Sequence, residues 1–198
     1  MQNLLAWLIK IDKQIFLFIN QTLANPVFDF ILPIWRNANT WILLYIFVLY
    51  LAIKKYKKQS WIWLFFALIT VVITDQVSSH FIKNLVARDR PYLDPNFHTQ
   101  VRLLLSNINR GFSFTSSHAT NHFGIALFFI TTLSSTFQKY KYLFIAWATI
   151  VCFAQVYVGL HFPLDVLCGG ILGTIIGKVT ATIFNKNFAP KNYYSNLN

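Results

Sequence analysis

Five apolar runs, 41–53, 61–81, 117–137, 142–159 and 163–184, divide the sequence, and stretches carrying charge or proline, all short but the one before residue 117, separate them. About 20 apolar residues suffice for a helix to cross the hydrocarbon core of a bilayer. Only a helix or a closed barrel can satisfy its own backbone there. Composition agrees: 56% of the residues are hydrophobic, Phe alone occurs 20 times, and only 12% are charged, about half the usual share in soluble domains. The chain therefore reads as an all-α integral membrane protein. It forms one domain over 1–198, a bundle of about five transmembrane helices preceded by an N-terminal interfacial helix.

That first helix is expected over residues 1–25. Leu4, Leu5, Leu8, Phe16 and Ile19 recur at helical spacing, while Lys10, Asp12, Lys13 and Asn20 interrupt the apolar pattern. Such a helix suits the membrane interface better than its interior. The same charges, with no clear cleavage site, argue against a removable signal peptide. Asn25-Pro26 breaks the helix, and the first crossing is expected to begin near Pro33 with a polar entrance, Arg36-Asn-Ala-Asn39.

The net charge of +11 comes from 17 Lys and Arg against six Asp, with no Glu. In a membrane-embedded chain this balance points to anionic lipid rather than nucleic acid as the partner. Cys152 and Cys168 lie within apolar runs and read as small buried hydrophobes. Five crossings put the turns Lys54-Lys-Tyr-Lys-Lys58 and Gln138-Lys-Tyr-Lys141, with the tail 185–198, on one side. Lysine in short turns marks that side as cytoplasmic. The loop 83–115 and the corner at His161 then face the extracytoplasmic side, although the loop has five basic residues of its own.

Three polar clusters stand at helix ends on that second side. Lys83 closes the second run, and Arg90-Pro91 follows it. Two fixed cations near one spot are what a phosphate dianion requires. Thr115-Ser116-Ser117-His118 opens the third run; Ser or Thr there is an ordinary N-cap, and a helix N-terminus is also an anion site. In the third cluster Pro163 suits the first position of the fifth helix, His161 lies just outside it, and Asp165 falls in its first turn. A carboxylate so placed can accept a proton from one imidazole nitrogen and leave the other nucleophilic.

In this order the clusters resemble the type 2 phosphatidic acid phosphatases, relatives of the vanadium haloperoxidases. Their signatures are Lys-x6-Arg-Pro, Pro-Ser-Gly-His and Ser-Arg-x5-His-x3-Asp. The first is complete at Lys83, Arg90 and Pro91. The second keeps Ser116 and His118, and the third keeps His161 and Asp165 at the right spacing but has Ala154-Gln155 for Ser-Arg. The resemblance implies a phosphohistidine on His161, oriented by Asp165, with His118 protonating the leaving group and then activating water. It implies phosphate binding by Lys83, Arg90, Ser116, Ser117 and the position of Gln155, with no cofactor and no metal. His118 and His122, four apart, could otherwise pass for a metal pair.

Gln155 loses the charge of the family arginine, and charge-assisted hydrogen bonds are roughly twice as strong as neutral ones. Arg88, Arg102 or Arg110 of the long loop is expected to replace it. Asp75, ionisable within an apolar run, is expected to contact a neighbouring helix or His80. The expected activity is hydrolysis of a lipid phosphate or diphosphate at the outer face of the plasma membrane. Undecaprenyl diphosphate comes first, from resemblance to compact bacterial members; phosphatidylglycerophosphate, phosphatidate and lipid A phosphates are alternatives. A competing reading from another class is a non-catalytic membrane protein that binds anionic lipid or passes an anion.

Overall fold

The computed structural model describes residues 2–106, 110–137 and 139–190, and among these residues every regular element is helical. Helix α1 spans Gln2–Leu17 and runs into a π-helical segment, Phe18–Thr22. Asn25 then caps α2, Pro26–Trp35, accepting a hydrogen bond from Phe28 N at 2.9 Å. The break falls where Asn25-Pro26 predicts it, and the two helices bend by 114°. The expectation that a crossing starts near Pro33 is overturned. Pro33 lies inside α2, a helical segment of its own, and a 3-10 turn, Ala38–Trp41, separates it from α3, Ile42–Tyr56.

At Lys57 (φ 49°) the chain turns back into α4, Ser60–Gln76, which continues as a second π-helical segment, Val77–Ile82, and the short α5, Lys83–Val86. Residues from Ala38 to Leu49 and from Trp63 to Asp75 line one common cavity, so α3 and α4 form a hairpin. After the long loop come α6, Ser117–Thr132, the short α7, Ser134–Phe137, α8, Lys141–Tyr157, and α9, Pro163–Asn187. By length and composition, two continuous helical stretches, Ala38–Leu93 and Pro163–Asn187, could cross a membrane, and the bent N-terminal pair could add a third. The α8 stretch is apolar but has 17 residues.

Trp63, Phe128, Phe129, Phe184 and Tyr56 form the main buried cluster, while Leu43, Trp61, Tyr142 and Ile171 project outward. Apolar residues inside and outside together are what a lipid-facing bundle requires. Helices α6 and α9 approach unusually closely. A Cβ on Gly173 would lie 2.2 Å from Thr120 O, and one on Gly177 2.1 Å from Gly124 O. Small residues spaced by four let two backbones touch, and here they hold the N-termini of α6 and α9 side by side. Gly159 (φ 90°) ends α8 in a conformation that disfavours a side chain, and so turns the chain toward His161.

Helix α1 is inside-out relative to a soluble amphipathic helix. Leu4, Leu5 and Trp7 point outward, whereas Asp12 is only 2% exposed. Phe16 packs on Phe97 and Phe162 at 5.5 Å between ring centroids, which docks α1 against the long loop and the start of α9. Asn20, fully buried, bonds the backbone of Arg102 and Tyr157. Of the two cysteines, Cys152 is buried as expected, and Cys168 is only half-buried.

Candidate active site

A cavity of about 360 Å³ opens where the π-helical segment 77–82 and α5, the long loop, the start of α6 and the α8–α9 corner meet. Lys83, Arg90, Ser117, His118, Gln155 and His161 line it, so the three sequence clusters converge. Two expected members stand apart from its wall. Asp165 is fully buried behind His161. Ser116 is buried and caps α6, its hydroxyl accepting from Ala119 N at 3.4 Å, so its side chain is placed for capping rather than phosphate contact.

His161 sits in the short corner between α8 and α9, 2% exposed. Its Nε2 lies 3.3 Å from Arg90 Nη1. A guanidinium can only donate, so Nε2 is the unprotonated nitrogen and the proton is on Nδ1. Burial pushes the His161 imidazole down to about 4; Arg90 and Lys83 act in the same direction, against Asp165. A neutral ring with an unprotonated Nε2 is the form a nucleophile needs.

The expected hydrogen bond from His161 to Asp165 is not formed. Nδ1 and Oδ2 are 3.7 Å apart, beyond hydrogen-bond range, and Nδ1 has no partner among the described residues. The reason is that the carboxylate is occupied elsewhere. Asp165 accepts from Arg88 Nη1 at 2.7 Å, from Phe162 N at 2.8 Å, and from the Ser113 hydroxyl in a short bond. Arg88 in turn donates to Asp12 at 2.6 Å, and the other Asp12 oxygen accepts from Leu164 N at 2.8 Å. A chain of charges thus runs from α1 through the long loop to the first turn of α9. Asp12 and Ser113 were not anticipated as part of the site.

The three arginines expected to compensate for Gln155 do not do so. Arg88 is committed to Asp12 and Asp165, Arg102 pairs with Asp29 at 2.8 Å, and Arg110 is exposed. The further cation on the cavity wall, beside Lys83 and Arg90, is Arg36, from the break after α2. Its Nε points to Gln155 Oε1 at 3.4 Å. Gln155 Nε2 is buried and has no partner among the described residues.

A second, largely apolar cavity of about 510 Å³ adjoins the first, and Ser117 and His118 line both. Tyr45, Leu49, Trp63, Leu68 and Phe129 are among its walls, and Asp75, Asn121 and His122 are its other polar side chains. Asp75 accepts from Ser79 at 3.1 Å and from Asn121 of α6 at 3.3 Å, so it meets a neighbouring helix as expected, without His80. His122 packs on Trp147, its ring parallel to that of His118 at 6.3 Å between centroids.

Comparison with known proteins bears on this geometry. The family model for the PAP2 superfamily matches residues 61–189. The lipid A 4′-phosphatase of Bacteroides thetaiotaomicron is 30% identical over 186 residues, covering 92% of this chain and 81% of that protein. The lipid A 4′-phosphatase of Porphyromonas gingivalis is 28% identical over 183 residues, covering 91% of this chain and 75% of that protein. Among solved structures, LpxE of Aquifex aeolicus superposes with a TM-score of 0.62 at 23% identity, over 85% of this chain and 93% of that one. The phosphatidylglycerolphosphate phosphatase of Bacillus subtilis gives 0.65 at 18% identity, over 91% and 87%. At those identities the two structures speak to the fold alone, a bundle of helices. The convergence of the signatures and the match over most of the chain agree: this protein belongs to the PAP2 superfamily and is a membrane lipid phosphatase.

Proposed function

We propose that the enzyme removes a phosphate monoester from a lipid A-type substrate, a phosphorylated and acylated sugar, by way of a phosphohistidine on His161. The observation that carries the chemistry is the His161 ring on the wall of a cavity lined by Arg36, Lys83 and Arg90, with its Nε2 placed to accept from Arg90 at 3.3 Å. In the first step Nε2 bonds to phosphorus as the ester P–O bond breaks, and His118 gives a proton to the departing alcohol oxygen. In the second, water attacks phosphorus, His118 takes its proton, and the N–P bond breaks to release inorganic phosphate. Cations around the transferred group offset its charge through both steps.

The substrate class rests on the relatives' names and on the second cavity. That cavity lies on the His118 side, where the leaving group departs. Its apolar walls suit acyl chains, and Asp75 and Asn121 suit the hydroxyl and amide donors of a sugar. Undecaprenyl diphosphate, first in the ranking drawn from the sequence, fits less well. Its leaving group is a phosphate anion, which Asp75 would repel, whereas a monoester releases a neutral alcohol.

The lysine turn at 54–58 lies at the opposite end of the bundle from the catalytic cavity. Lys55 donates to Thr132 O, at the far end of α6 from His118, at 2.6 Å. This supports a cavity on the extracytoplasmic face of the plasma membrane. Cysteine at Ser106, but not at Lys57, should then label from outside intact cells.

The deciding experiment is phosphate release in detergent from lipid A 4′-phosphate, undecaprenyl diphosphate, phosphatidylglycerophosphate and phosphatidate. Lipid A phosphate should be the fastest, and His161→Ala should abolish release. Faster turnover of undecaprenyl diphosphate would refute the substrate assignment, and undiminished release by His161→Ala would refute the phosphohistidine.

A further inference from the structure

We propose that Arg36 is a phosphate-binding residue standing in for the arginine that the family signature places at position 155, and that Gln155 is the positioning residue that aims it. The inference rests on the phosphatase reading above and assigns one of its contacts. Three observations carry it.

The first is location. Arg36 and Gln155 are 119 residues apart in sequence, yet both line the cavity that holds Lys83, Arg90, His118 and His161. Second, Arg36 has no acidic partner among the described residues. Asp12 and Asp165 hold Arg88, Asp29 holds Arg102, Asp94 holds Lys13, Asp75 bonds to Ser79 and Asn121, and Asp89 is exposed. A guanidinium on a cavity wall without a counter-ion calls for an anionic ligand.

Third, the hydrogen bonding is divided in a way that suits an anion. Arg36 directs Nε to Gln155 Oε1, and neither of its terminal nitrogens has a partner among the described residues. Those two nitrogens form the flat fork that matches two phosphate oxygens. Gln155 is 0% exposed, and with Oε1 used by Arg36 its Nε2 is a buried side-chain donor without a partner among the described residues. The amide therefore bridges the guanidinium and the phosphate. An arginine at 155 would put a second guanidinium against the first. A glutamine avoids that repulsion and keeps one donor toward the ligand.

The test uses the full-length protein in detergent with two readouts, steady-state phosphate release and binding of inorganic phosphate followed by calorimetry. Arg36→Gln should lower kcat/KM by about 100-fold, the usual loss when one preorganised donor to a transition state is removed, and should weaken phosphate binding. Arg36→Lys should recover part of both. The double variant Arg36→Gln with Gln155→Arg, which returns the cation to α8, should regain at least about tenfold over Arg36→Gln alone. Gln155→Glu keeps Arg36 in place by an ion pair but cancels its charge, so it should weaken phosphate binding with an unchanged melting temperature.

Phosphate binding and kcat/KM within about twofold of wild type in both Arg36→Gln and Arg36→Lys would overturn the assignment. If wild type is active and His161→Ala is not, that result leaves the phosphatase reading standing. If wild type releases phosphate from no lipid, the phosphatase reading falls, and phosphate binding still decides the role of Arg36.

Discussion

The two sides of His161 are built on opposite rules. Behind the ring, every charged group is hydrogen-bonded: Asp165 accepts from Arg88, Ser113 and Phe162 N, and Arg88 is shared with the buried Asp12. In front of it, Arg36, Lys83 and Arg90 line a cavity with no acidic side chain on its wall. Hydrogen-bonding capacity spent within the protein stabilises a geometry, and capacity left open binds a ligand. Side chains of the same chemical type thus serve different ends according to what already occupies them. This predicts that substitutions behind the ring cost stability, while those in front cost turnover.

The sharpest way to break that division is Arg88→Ala. It would leave two buried carboxylates, Asp12 and Asp165, without their cation. Removing one partner of a buried ion pair costs about 3–5 kcal/mol, so a large drop in thermal midpoint in detergent is expected. Activity should fall with it, because the first turn of α9 carries His161's neighbour. Lys83→Ala is the matching change in front. It should reduce phosphate release strongly and leave the midpoint unchanged or slightly raised, since a cation without an acidic partner contributes little to the fold. If Lys83→Ala were the more destabilising of the two, the contrast between the sides would be wrong.

Both sides depend on how closely α6 and α9 approach. Gly173→Ala would place a methyl group 2.2 Å from Thr120 O, on backbone that cannot swing aside. Overpacking of this kind costs about 1–3 kcal/mol. Because α6 carries His118 and the α9 start follows His161, kcat should fall further than stability accounts for. Gly170→Ala is the control: its methyl group would meet the Phe123 ring at 3.1 Å, and a side chain can yield. Equal effects from the two substitutions would remove the close approach as the cause.

What the sequence revealed follows the same division. Lys83, Arg90, His118, His161 and Asp165 could be picked out because the chemistry ties them to helix ends at set spacings. Asp12 could not, because an acid in an apolar helix reads as a surface interruption until Arg88 and Leu164 N are seen beside it. Arg36 looked like part of a polar entrance to a crossing. The change at Gln155 did signal a missing cation, but choosing among the arginines required knowing which had already been claimed by Asp residues. The glycines at 169, 173 and 177 are visible as a spacing of four, yet the spacing alone does not name α6 as their partner.

The smallest expected effect tests the outer edge of the supporting side, where Lys13 of α1 meets Asp94 of the long loop at 2.6 Å. Burial alone would raise the Asp94 carboxyl. Lys13, the Asn96 N–H and the charge of Arg88 outweigh it and hold the group below the usual carboxylate range. An acid with a depressed folded-state value stabilises the fold above its unfolded value, about 3.9. That contribution disappears as pH falls through the lower, folded value. Both side chains keep some exposure, so the pair should contribute no more than about 1 kcal/mol. Lys13→Met should therefore lower the thermal midpoint slightly at pH 6, and the gap to wild type should close toward pH 3. A gap that persisted or widened in acid would mean that Lys13 holds α1 by its packing over the Phe97 ring, 4.8 Å away, rather than by its charge on Asp94.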